Sequence, residues 1–214
     1  MSAVLLSTTY FGPIQWYRKL CQGRQVIIEQ CESFQKQTYR NRCVIATANG
    51  PLALTVPVER STPPAGQGTT IRDVCISDHG NWRHLHWNAI VSAYGDSPFF
   101  EYYQDDLRPF FERRWKYLFD FNEAIRDVLC QLLDISPSVT FPRQYVRHYP
   151  ADGPDAADDC RDTIRPKLPP DDRDAPIRPY YQVYARRHGF LPNLSIIDLL
   201  FNMGNESIFW LIPQ

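Results

Sequence analysis

His84 and His86, bracketed by Trp82 and Trp87, are the side chains of this sequence best suited to acid–base chemistry. Imidazole titrates near neutral pH, and burial moves its proton affinity readily. If the run from Trp82 to Ala93 is a helix, successive side chains turn by about 100°. Trp82, Leu85, Ala89, Ile90 and Ala93 then form one apolar stripe, with His86 in its middle. His84 falls about 160° away and faces water, so the two rings cannot share a metal unless the segment is a strand. His86 is therefore the candidate general base. The plainer alternative is a core histidine satisfied by one hydrogen bond.

A second set of chemistry-bearing residues is Tyr39-Arg40-Asn41-Arg42. In an extended chain Arg40 and Arg42 point to one side, and two guanidinium forks suit a phosphate or carboxylate. The competing reading is a charged strand edge that discourages aggregation. Tyr10 and Phe11, at the end of a first strand, could stack on a sugar or base, or could be core aromatics. Tyr10 and His86 form the candidate catalytic pair; Arg40, Asn41, Arg42 and Trp82 form the candidate substrate-binding set.

These residues need elements to place them. Val4 to Ser7 reads as a buried strand, Pro13 opens a helix carrying Ile14, Tyr17, Leu20 and Cys21, and Gln25 to Glu29 is a second strand. That is the form of a parallel crossover unit, and the loop Thr8 to Gly12 would lie at the carboxyl edge, where open α/β sheets bind ligands. Runs 42–47 and 52–58 around Asn49-Gly50 predict a tight hairpin. Residues 61–69 read as a mobile loop and 70–77 as a strand, with Asp78 or Asn81 capping the histidine helix. Helices follow at about 81–94, 98–114 and 119–133, the last with Phe119, Phe121, Ala124, Ile125, Val128, Leu129 and Leu132 recurring at helical spacing as a core stripe. Residues 136–180 are rich in Pro and Asp and read as an irregular lid or loop, with 151–176 the least ordered part. Ser195 to Asp198 resembles a capping box before a short helix that Gly204 ends.

Composition narrows the classes. The 214 residues carry a net charge of -1, so no global attraction to nucleic acid or anionic lipid is expected. Phe110, Phe111 and Trp115 interleave with basic residues, but Glu101, Asp105, Asp106 and Glu112 offset them. No apolar stretch predicts a membrane span, and the start lacks a basic leader region, which predicts a cytoplasmic protein. The six cysteines lack zinc-knuckle or redox spacing and read as reduced thiols; Cys75 could pair with His86, although packing is the commoner role. The aspartates near 151–176 lack the alternation of a calcium loop. No metal site and no cofactor motif is read.

Several segments in order resemble the WbqC-like protein family of bacteria, in the form common in Bacteroidetes. They are Tyr10-Phe11-Gly12-Pro13 with Trp16-Tyr17, Tyr39-Arg40-Asn41-Arg42, and Asn49-Gly50 with Leu54-Thr55-Val56-Pro57-Val58. Asn81-Trp82 with His86-Trp87, Ala93-Tyr94 with Ser97-Pro98-Phe99-Phe100, and Asp120-Phe121-Asn122 come next. Arg161 with Pro166-Lys167, and Pro192 to Leu200 with Gly204, complete the match. Many members carry Gln-Pro where this chain has Thr8-Thr9. The resemblance implies one domain over 1–214 and a place in surface-polysaccharide (O-antigen) biosynthesis, with acyl or aminoacyl transfer to an amino sugar as a suggested activity.

Together these readings predict an α/β fold: a mixed sheet opened by a β-α-β unit, an added hairpin and about three to five helices. The functional expectation is a cytoplasmic transferase acting on an anionic sugar-containing small molecule such as a nucleotide sugar. His86 would take a proton from the attacking amine or hydroxyl, Tyr10 would position the acceptor, and Arg40 and Arg42 would hold the anion. The alternative is a non-catalytic binding or assembly protein with the same pocket. Clustering discriminates them: one cleft lined by Tyr10, Arg40, Arg42 and His86 favours the enzyme, and a sealed His86 favours binding or structure.

Overall fold

The computed structural model describes residues 3–23, 25–59, 68–150, 153, 156–166, 168 and 176–212. Strand β1 (Ala3–Ser7) is continuously apolar up to its last residue, as expected of a strand covered on both faces. Its crossover helix α1 (Ile14–Gln22) starts at Pro13, whose fixed φ and missing N–H suit a helix start. Strand β2 (Val26–Glu29) returns parallel to β1, with Val4 opposite Val26 and Ser7 opposite Glu29.

The chain then leaves the sheet. Strands β3 (Arg42–Thr47) and β4 (Gly50–Thr55) form an antiparallel pair in a sheet of their own. The turn sits one residue earlier than the Asn49-Gly50 pair suggests. Ala48 and Asn49 are the loop, and Gly50 takes the positive φ (+100°) that only glycine adopts freely. Helix α2 (Trp82–Tyr94) carries the two histidines, and α3 (Phe100–Leu107) and α4 (Pro109–Glu112) follow. The expected single helix over 98–114 is divided because Pro109 has no N–H to continue the ladder. Helix α5 (Leu118–Leu132) buries Phe121, Ile125 and Leu129, the stripe its spacing predicts.

Strands β5 (Val139–Thr140) and β6 (Ala157–Asp159) extend the first sheet on opposite sides, giving the order β5-β2-β1-β6 with every pair parallel. The segment read as an irregular lid thus supplies both outer strands. The loop at 61–67 and, within the stretch expected to be least ordered, residues 151–152, 154–155, 167 and 169–175 lie outside the described residues. Helices α6 (Ala185–His188), α7 (Ile196–Met203) and α8 (Ile208–Leu211) close the chain. Among the described residues, no helix is long and apolar enough to cross a membrane.

Three local expectations are corrected. Residues 70–77 form a 3₁₀ turn (Ile71–Asp73) and isolated bridges, because Thr70 Oγ1 donates to the Asp73 carboxylate and curls the chain. Asn81 stands at the α2 N-cap without a side-chain bond, while Asp78 pairs with Arg83. Ser195 and Asp198 make no capping box. Ser195 Oγ donates to the Phe11 carbonyl at 2.7 Å, and Asp198 accepts from Tyr94 Oη, Tyr180 Oη and Gln182 Nε2 at 2.9, 2.5 and 2.9 Å. Both are buried, so their side chains serve tertiary partners rather than their own helix.

Candidate functional site at the carboxyl edge of the parallel sheet

The loop Thr8–Gly12 leaves β1 at the carboxyl edge and is fixed from several directions. Tyr10 N–H donates to the Tyr39 carbonyl at 2.9 Å, and Ile196 N–H to the Gly12 carbonyl at 2.9 Å. Thr8 Oγ1 donates to Glu123 Oε1 at 2.8 Å. Phe11 is held at φ +43°, a strained conformation for a bulky residue, which persists only where the surroundings over-determine it.

Tyr10 and His86 meet, as the candidate catalytic pair requires: Tyr10 Oη lies 2.9 Å from His86 Nδ1. Trp82 packs edge-on against the same imidazole, with ring centroids 5.2 Å apart. His86 is 6% exposed and Tyr10 fully buried, whereas His84 faces solvent and bonds Asn88. Burial pulls the His86 proton affinity down to about 4, against a bond to the Thr55 carbonyl that raises it. A neutral ring is then satisfied on both sides, donating to Thr55 and accepting from Tyr10. Leu85 departs from its expected stripe and is 63% exposed, while Trp82, His86, Ile90, Ala93 and Tyr94 define the buried face.

The two arginines do not share a face. Arg40 lies in a turn rather than a strand and points inward, 2% exposed. Its Nε and Nη2 donate to the two Glu32 carboxylate oxygens at 2.8 and 2.6 Å, and Nη2 also donates to Ser7 Oγ at 2.7 Å. Arg42 sits on the hairpin, with Nε donating to Thr55 Oγ1. The buried Asn41 side chain donates to the Val56 carbonyl at 2.8 Å. The pairing of Arg40 and Arg42 on one anion is corrected on this geometry.

A charged network that the sequence reading did not assemble lies at the strand ends. Glu29, the last residue of β2, is fully buried and accepts from Cys31 N–H at 2.8 Å and from Arg161 Nη1 at 3.3 Å. Burial raises its carboxyl above the usual range, with the Cys31 amide and Arg161 opposing. Arg161, two residues past β6, grips Asp159 through Nε and Nη2 at 3.0 and 2.6 Å. It also donates to the Val146 and Arg147 carbonyls and lies 5.1 Å from the Tyr145 ring. Ser7 Oγ donates to the Arg161 carbonyl at 3.3 Å, joining this group to Arg40 and Glu32. Helix α5 adds Glu123, which accepts from Arg126 at 2.7 Å. The missed signal was a carboxylate closing an apolar strand, Val26-Ile27-Ile28-Glu29, at the edge where ligands bind.

The network has a wet rim. Asp159 is 36% exposed through its side chain, and Asp162 and Arg165 pair beside it. Gln35 Oε1 accepts from Arg165 at 2.8 Å. Among the described residues, no group of three or more His, Cys, Asp or Glu side chains is placed to hold a metal ion. The six cysteines are free thiols, and Cys75 contacts the Asp73 carbonyl, not His86.

A parallel four-stranded sheet flanked by helices, with a separate antiparallel hairpin, defines an α/β protein. The chain belongs to the WbqC-like protein family, whose model matches residues 8–152. It is also similar to an uncharacterized protein of Mycobacterium tuberculosis, 28% identical over 206 residues that cover 86% of this chain and 85% of that one. No solved structure matches it significantly.

Proposed function

We propose that this protein is a transferase of bacterial surface-polysaccharide assembly that takes a sugar-containing small molecule at the carboxyl edge of its parallel sheet. The family supports the pathway. The observation that carries the site is the convergence of Glu29, Arg40, Glu32 and Arg161, from three separated stretches of chain, in one buried network at the ends of β1, β2 and β6. Buried ion pairs gain little net stability over apolar packing. A network of this size is therefore better accounted for by what it positions. Asp159 is the carboxylate it presents to solvent, oriented by Arg161. An acceptor amine or hydroxyl would be held there while it attacks an acyl donor, its proton passing to Asp159 and the donor's carrier departing as the leaving group. Tyr10, His86 and Trp82 act as positioning residues that lock the Thr8–Gly12 loop, and Asn41 and Arg42 secure the hairpin.

Sealing of His86 favours a second reading, ligand binding without chemistry, because the one neutral-pH base of the set has no free nitrogen. A thermal-stability screen against nucleotide sugars, acyl-coenzyme A and aminoacyl donors finds the ligand: one at about a hundred times its Kd stabilises by about 2.7 kcal/mol. Product formation from a donor–acceptor pair supports the transferase. Ligand stabilisation with no turnover of any pair supports the binding protein.

A further inference from the structure

A groove of about 290 Å³ opens on the outer side of α2, away from the His86 face, between the helix start and α4. Its walls carry Arg83, Arg108 and Arg114, with His84 beside them and Trp87 and Phe111 as an aromatic side. Three guanidinium groups share two carboxylates here. Arg108 pairs with Glu112 at 2.7 Å, while Asp78 is divided between Arg83 at 2.7 Å and Arg114 at 3.4 Å. One positive charge is left over. Arg83 Nε is shut off from solvent and makes no hydrogen bond.

The helix beneath adds to this field. Helix α2 has no acidic residue in its first turn and no side-chain cap, so its leading N–H groups and positive dipole end are uncompensated. Arg83 in that first turn adds to this field, and the Asp78 carboxylate, shared with Arg114, is the anion beside it. Trp87 and Phe111 lie 5.5 Å apart, centroid to centroid, and Trp87 is only partly buried. A flat ring can stack on it while the guanidinium forks take oxyanions.

We propose that this groove binds a phosphate ester carrying a planar or sugar ring, with a nucleoside diphosphate as the fitting class. Arg108 and Arg114 take the phosphates, released from Glu112 and Asp78, and Trp87 carries the ring. The site is independent of the strand-end reading, because it shares no residue with that network.

Calorimetric titration of the full chain with pyrophosphate and with uridine diphosphate at low salt tests it. Both should bind, and binding should weaken as salt rises. The double variant Arg108→Gln/Arg114→Gln changes two solvent-exposed side chains and should weaken both probes by about tenfold or more. Trp87→Leu should weaken uridine diphosphate by about tenfold and leave pyrophosphate within about twofold, and Trp87→Phe should restore the difference. Asp159→Asn should leave both unchanged, which separates this site from the strand-end one. Absence of binding by either probe at about 1 mM overturns the proposal. Binding that survives the double arginine variant overturns it equally, since the ligand then sits elsewhere. Equal loss of both probes in Trp87→Leu overturns the stacking role.

Discussion

Tyr10–His86 and Glu29–Arg161–Arg40–Glu32 are both buried, hydrogen-bonded and long-range in sequence, yet they are built on opposite electrostatic terms. The first is neutral. Each polar atom finds one partner, and the low proton affinity of His86 shows that its surroundings reject the charged form. The second keeps its charges and offsets desolvation only by pairing, with Glu29 raised by burial all the same. Neutral satisfied pairs are how a core tolerates polar groups. Retained buried charge is a poor way to gain stability, so its presence at strand ends points to the site. The residue type best suited to catalysis is thus sealed in a neutral pair, and Glu29, Glu32, Arg40 and Arg161 form the buried charged network.

Breaking the charged side should cost most. Glu32→Ala strands Arg40 in a place 2% exposed and should destabilise by about 3–5 kcal/mol in urea unfolding. The double change Glu32→Leu/Arg40→Met should recover most of that loss while abolishing ligand stabilisation. Recovery of both would make the network structural after all.

The neutral side should show itself through pH. The folded His86 stays neutral to about pH 4, while an unfolded histidine protonates near 6.5. The unfolded chain therefore binds the extra proton in that window, so this contribution is full above it and is lost as pH falls, by about 3 kcal/mol in total. His86→Gln should flatten the stability–pH curve between those values; an unchanged slope would show that His86 is not the group responsible. Tyr10→Phe, which leaves His86 Nδ1 without a donor, should cost about 1–3 kcal/mol. Arg42→Ala, on the hairpin surface, should stay within about 0.5 kcal/mol.

Much of the frame was legible. The β1-α1-β2 opening, the hairpin and the α5 stripe follow from apolar runs, Pro13 and Asn49-Gly50, because these signals are local. His86 was placed on the buried face of α2 by spacing alone, but its partners Tyr10 and Thr55 are set by tertiary packing. Arg40 was misplaced because Tyr39 to Asn41 form a turn, and the alternation of an extended chain does not apply there. Arg161 was part of the family resemblance without a role, since nothing local tells that β6 sets it beside Glu29 from 132 positions away. The short strands β5 and β6, hidden among prolines and aspartates, exist only by pairing with β2 and β1.

The most direct measurement compares ligand-induced stabilisation, by thermal unfolding at pH 7.5 or about there, for two conservative variants of the two regions. Asp159→Asn keeps the shape of the carboxylate that Arg161 presents, and His86→Gln keeps a hydrogen-bonding side chain in the neutral pair. With an acyl or aminoacyl donor that carries no nucleoside diphosphate and stabilises the wild type, the expected result is loss of the shift in Asp159→Asn and its retention in His86→Gln. Retention in Asp159→Asn together with loss in a folded His86→Gln would contradict the strand-end site and return the chemistry to the histidine.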